Sequence, residues 1–121
     1  MSGVRSQLTA LHGDGSGNVL ITLTERDRPN LYSELEFNVH GMPPNSTFDI
    51  QRRFDTAPDG KCTSATWLEL GTIKTSRAGT GTAHFTTARG APFVTGFEFD
   101  IQYRVIGSDT ELRSKCLTLV I

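Results

Sequence analysis

Three histidines, two cysteines and nine arginines against three lysines are the side chains of this sequence best suited to chemistry. His12, His40 and His84 offer no pair at metal-ligand spacing, so each reads as a surface or packing residue. Cys62 and Cys116 lie far apart without a C-x-x-C spacing, which excludes a zinc knuckle and a thioredoxin-type motif; one disulfide or two buried thiols remain. The arginine excess suits bidentate recognition of carboxylate or phosphate, or simply reflects composition. Ser, His and Asp are scattered, so spacing proposes no triad. No G-x-S-x-G, P-loop or dinucleotide fingerprint occurs. "NST" at Asn45 fits a glycosylation sequon and reads as a turn. Of the aromatics Phe54, Trp67, Phe85 and Phe93, the strand residues are expected in the core. Phe93, in "GAPFVTG" outside any clear strand, has exposed contact as its alternative.

These residues must be positioned by strands. Short apolar-alternating runs recur between Gly, Pro, Asn and Asp clusters, the pattern of an all-β chain. The runs are Val4 to Leu11, Asn18 to Thr24, Leu31 to His40, Thr47 to Phe54, Thr66 to Thr75, Thr80 to Thr87, Gly96 to Ile106 and Glu111 to Ile121. Period-two alternation puts Leu35, Phe37 and Val39 on one face, as it does Phe97, Phe99, Ile101, Tyr103 and Val105. The opposite faces carry Glu34, Glu36, Asn38 and His40, and Glu98, Asp100, Gln102 and Arg104, which are expected in solvent. "HGDGSGN", "GMPPNST" and "SRAGTG" supply turn chemistry. No segment longer than about ten residues keeps a helical period. Eight short strands predict a two-sheet sandwich or flattened Greek-key barrel.

A length of 121 residues predicts one domain over 1–121. The net charge of -1 gives no electrostatic ground for binding nucleic acid or an anionic membrane. No apolar run approaches the roughly 20 residues that cross a bilayer as a helix, so a soluble chain without membrane insertion is expected. "MSGVRSQLTA" lacks the apolar core of a secretory signal.

The order Phe48-Asp49-Ile50-Gln51-Arg52-Arg53-Phe54-Asp55, a short loop and then "GKCTSA" resembles copper/zinc superoxide dismutase, which carries F-H-V-H-E-F-G-D and G-C-T-S-A there. Around it, "HGDGSGNVLITL" is similar to that family's first hairpin, and "VHGMPPNSTFDI" to its strand, turn and copper strand. "LGTIKTSRAGTGTAHF" is similar to its D-L-G-N-V-T-A-D-x-x-G-V-A region, and "RSKCLTLVI" to its closing R-x-x-C-G-V-I-G strand. The match runs in order over most of the chain. The resemblance implies an eight-stranded Greek-key β-sandwich and pairs Cys62 with Cys116.

The same resemblance implies that the metal site is lost. Asp49 and Gln51 stand where the family has two copper histidines. "CTSATWLELG" passes almost directly from Cys62 into the next strand, without the zinc loop. The strand similar to that of the last copper ligand turns Asp100, Gln102 and Arg104 outward. Copper cycling between oxidation states needs imidazoles that this set lacks, so no metal or other cofactor and no dismutase activity are expected. Arg113 stands where the family has its anion-guiding arginine. With Arg52 and Arg53 it implies either an anion site of arginine forks or solvated pairs with Asp49, Asp55 or Glu111.

Three functions follow as expectations. The first is a non-catalytic binding or structural domain with the candidate ligand face Asp49, Gln51, Arg52, Gln102, Arg104 and Arg113, for an unknown protein or small molecule. The second is an enzyme of another class, with Asp49 as acid or base, Gln51 and Gln102 as hydrogen-bond donors and Arg113 as an anion clamp. The third is a weak metal carrier. A disulfide would place the chain in an oxidising compartment, secreted, periplasmic or on the cell surface, after loss of a signal peptide; free thiols would suit the cytoplasm. The family often dimerises through its sandwich surface, which adds a homodimer as an expectation.

Overall fold

The computed structural model describes residues 2–24, 31–89 and 96–120, and Phe93 falls outside them. Nine strands follow in chain order: β1 (Ser2–His12), β2 (Ser16–Thr24), β3 (Leu31–His40), β4 (Thr47–Asp55), β5 (Leu68–Lys74), β6 (Gly81–Arg89), β7 (Glu98–Ile106), β8 (Glu111–Arg113) and β9 (Leu117–Val120). They form one antiparallel sheet in the order β5-β4-β7-β8-β1-β2-β3-β6, with β9 also on β7. The sheet curls into a nearly closed barrel. Its two end strands, β5 and β6, come together where Gly71 meets the Phe85 ring and Gly81 meets the Lys74 carbonyl. The described residues include no helix.

The barrel closes because period-two alternation gives each strand one apolar face. Leu35, Phe37 and Val39 of β3 are buried, as are Phe48 and Ile50 of β4 and Phe99, Ile101, Tyr103 and Val105 of β7. Phe37 meets Phe85 edge-on at 5.9 Å and Tyr103 at 5.7 Å, so β3, β6 and β7 pack through one aromatic cluster. Burial raises the pKa of the Tyr103 phenol far above its ordinary value.

Turn residues carry out the chemistry read from their types. Gly79 at φ 79° and Asn45 at φ 51° take the left-handed conformation. A Cβ on Gly79 would stand 2.4 Å from the Met42 carbonyl oxygen, so the 76–80 turn can pack here only with glycine.

Three expectations are corrected. The last run, expected as one strand, is two. Ser114 still bonds along β7, its N–H to the Tyr103 carbonyl at 3.0 Å and its hydroxyl to the Tyr103 N–H at 3.0 Å. Two residues, Lys115 and Cys116, then bulge before the ladder resumes at Leu117 opposite Ile101. Asp100 is not in solvent but fully buried, because the loop carrying Cys62 folds over it. Arg52 does not share the outer face of Asp49 and Gln51. Strand parity turns it inward, where it is 8% exposed. There it donates to Thr87 Oγ1 at 3.2 Å and lies over the Phe54 ring at 4.9 Å.

Candidate functional site

The outward residues of β5, β4, β7, β8 and β1 form one continuous row. Glu69 stands opposite Gln51, Gln51 opposite Arg104, Arg104 opposite Arg113, and Arg113 opposite Thr9. A bulge between Ile50 and Gln51 brings Glu69 into that row. In the next row Arg53 faces Gln102. Five of the six predicted face residues therefore lie on one surface: Asp49, Gln51, Gln102, Arg104 and Arg113. Arg52 is on the other side of the sheet.

The centre of this surface is Trp67, immediately before β5. Three guanidiniums surround its ring: Arg104 at 4.1 Å, Arg53 at 4.6 Å and Arg113 at 5.3 Å from the centroid. Each such contact contributes about 0.5–1 kcal/mol when exposed and more when desolvated. Burial, followed by the charge of Arg113, lowers the pKa of Arg53 from its ordinary value. Burial lowers that of Arg104 as well, against the raising effect of Glu111. Arginine stays charged through such shifts.

Hydrogen bonds lock the surrounding side chains together. Arg53 donates to Gln102 Oε1 from Nε at 2.9 Å and from Nη2 at 2.6 Å, and to the Ser64 carbonyl at 3.1 Å. The Gln102 amide donates to the Ser114 carbonyl at 2.8 Å. Arg104 Nε donates to Gln51 Oε1 at 2.7 Å, and the Gln51 amide donates to Glu69 at 3.1 Å. Glu111 Oε2 accepts from Arg113 Nε at 2.5 Å and lies 3.7 Å from Arg104 Nη1. The Glu111 side chain is only 10% exposed, so this pair is partly desolvated, in contrast to the solvated pairs expected from sequence. The Asp49 side chain is exposed and makes no hydrogen bond or ion pair among the described residues.

The neighbouring loop is held by a cross-strand pair of carboxylates, Asp55 of β4 and Asp100 of β7. Asp55 accepts from the Thr63 N–H at 2.7 Å and the Ser64 N–H at 3.0 Å. Asp100 accepts from the Gly60 N–H at 2.8 Å and the Thr118 hydroxyl at 2.6 Å. Burial alone would raise the Asp100 pKa, but these hydrogen bonds outweigh it and hold the carboxyl below its ordinary value. The loop is tied a third time by the Cys62–Cys116 disulfide, with Cα atoms 5.6 Å apart.

His12 stands opposite Glu111 on β1, and the other two histidines lie away from this surface. His84, with 69% of its side chain exposed, meets Glu36 at 2.9 Å on the outer face of β3 and β6. Hydrogen bonds from Asn38 and then His84 lower the Glu36 pKa. His40 contacts the Ser16 hydroxyl at 2.8 Å. Among the described residues no group of three or more His, Cys, Asp or Glu is placed to hold a metal ion.

Sequence reasoning grouped the arginines and glutamines but expected Trp67 in the core. One signal was available: Trp67 and Glu69 alternate with Leu68 and Leu70, which sets the indole on the glutamate's outward side. The anchoring role of Asp100 had no such signal, because it depends on a loop from another strand. No protein-family model, curated protein or solved structure matches the chain.

Proposed function

We propose that this chain is a non-catalytic binding or structural domain on a Greek-key frame like that of copper/zinc superoxide dismutase, with the metal-holding side chains replaced. Two features support the frame. β3 lies beside β6 and β4 beside β7, so the chain crosses between non-consecutive neighbours as Greek-key strands do. A disulfide ties the loop after β4 to the last strands, as the resemblance requires.

One observation carries the absence of catalysis. Gln51 donates an amide hydrogen to Glu69 and Gln102 donates one to the Ser114 carbonyl, and both oxygens accept from arginine. Both side chains are thereby fixed on the protein's own groups, and among the described residues no hydrogen bond positions the Asp49 carboxylate as a general acid or base. The interlocked surface acts as a rigid face with an aromatic and cationic centre, the residue types that dominate contact energies in interfaces. The disulfide is compatible with an oxidising compartment, and we assign the domain there, secreted, periplasmic or cell-surface.

Incubation with Cu²⁺ and Zn²⁺, dialysis and elemental analysis test this reading. Substoichiometric metal is expected. One copper or zinc retained per chain would overturn it in favour of a metal carrier.

A further inference from the structure

The barrel is also open between β1 and β9, beside the end of the outward row at Thr9. β1 pairs with β8 only from Thr9 to His12, although it pairs with β2 from Ser2 to Thr9. Beyond Thr9, the chain that leaves β8 bulges at Lys115 and Cys116 and continues as β9 along β7 alone. β1 and β9 are unpaired and scarcely approach within 8 Å of one another. Neighbouring strands in a ladder stand about 4.8 Å apart, so the seam is wider than one ladder spacing. Its lining is Arg5, Ser6, Gln7, Thr9 and Lys115, around a groove of about 330 Å³.

Along this seam the second edge of β1 carries main-chain N–H and C=O groups unpaired by strands among the described residues. Such an edge is a template for strand addition unless it is covered or blocked by charge, proline or a bulge. Two cations flank the groove and no carboxylate lines it. The side chains of Arg5 and Lys115 are both exposed and make no hydrogen bond or ion pair among the described residues, although the charge of Arg5 is felt at Glu36 on β3. The other break in the barrel, between β5 and β6, offers no comparable room, because Gly71 and Gly81 bring the two strands together.

We propose that the β1–β9 seam receives an extended acidic segment of a partner protein, which adds as a strand to the free edge of β1. Main-chain hydrogen bonds to Val4–Leu8 supply the binding, and Arg5 and Lys115 select for carboxylates on the solvent side of the added strand. The disulfide contributes by fixing Cys116 at the bulge that leads β9 away from β1.

The test uses a fluorescent eight-residue peptide alternating glutamate with valine and threonine, and a second in which lysine replaces every glutamate. Anisotropy is expected to show binding of the acidic peptide only. R5E/K115E, which changes two exposed side chains, is expected to weaken it at least about tenfold. Hydrogen exchange of the gap-facing amides between Val4 and Leu8 is expected to slow on saturation. No binding, equal binding of both peptides, or binding that leaves these amides unprotected would overturn the proposal. A concentration-dependent dimer in sedimentation that protects the same amides would also overturn it, making the occupant a second copy of this chain.

Discussion

Glu111 holds two guanidiniums with one carboxylate, and Arg104 and Arg113 stand directly opposite each other on adjacent strands. Like charges in that position repel, so Glu111 is worth more than an exposed ion-pair member. Glu111→Gln is therefore expected to lower unfolding free energy by about 2 kcal/mol, read as a shift in the urea midpoint. Asp49→Asn, which removes an exposed carboxylate with no partner, is expected to stay within about 0.5 kcal/mol of the parent.

Asp100 gives the fold a specific pH response. Its folded pKa lies below its unfolded value near 3.9. Its stabilising contribution is thus fully present above about pH 5 and is lost as pH falls through the folded pKa. Urea midpoints measured between about pH 2 and 6 should fall toward acid, and Asp100→Asn should flatten that limb. An unchanged acid limb in the variant would mean that other carboxylates carry the response.

At the scale of the element, the loop between β4 and β5 is anchored before the disulfide is considered. Asp55 and Asp100 already accept three of its amides. The Cys62–Cys116 bridge closes 54 residues of sequence and acts mainly on the unfolded chain, with a chain-entropy contribution of about 4 kcal/mol. The double variant C62S/C116S is expected to lose stability of that order in urea unfolding. The amides of Gly60, Thr63 and Ser64 should nonetheless remain slow to exchange under native conditions, because their acceptors are untouched. Fast exchange at these three amides would show that the bridge, and not the carboxylate pair, docks the loop.

For the molecule as a whole, alternation in the sequence was enough to predict an all-β chain and most of its strands. Leu31 to His40 forms a strand over the limits read from sequence, and Phe48, Ile50, Phe99, Ile101, Tyr103 and Val105 enter the core as their parity requires. Period two is a local property of extended backbone, so a single segment suffices to reveal it. The resemblance, not the alternation, grouped Asp49 and Gln51 with Gln102 and Arg104 on one face, and parity followed through β4 would have excluded Arg52. What only the tertiary structure decided are the contacts between segments distant in sequence: Trp67 beneath Arg104 and Arg113, the burial of Asp100 by Gly60, and the seam where β9 leaves β1. Each depends on which strands become neighbours and where a ladder bulges. Those choices come from packing, loop closure and cross-linking of the whole chain, and residue spacing within one segment carries no information about them.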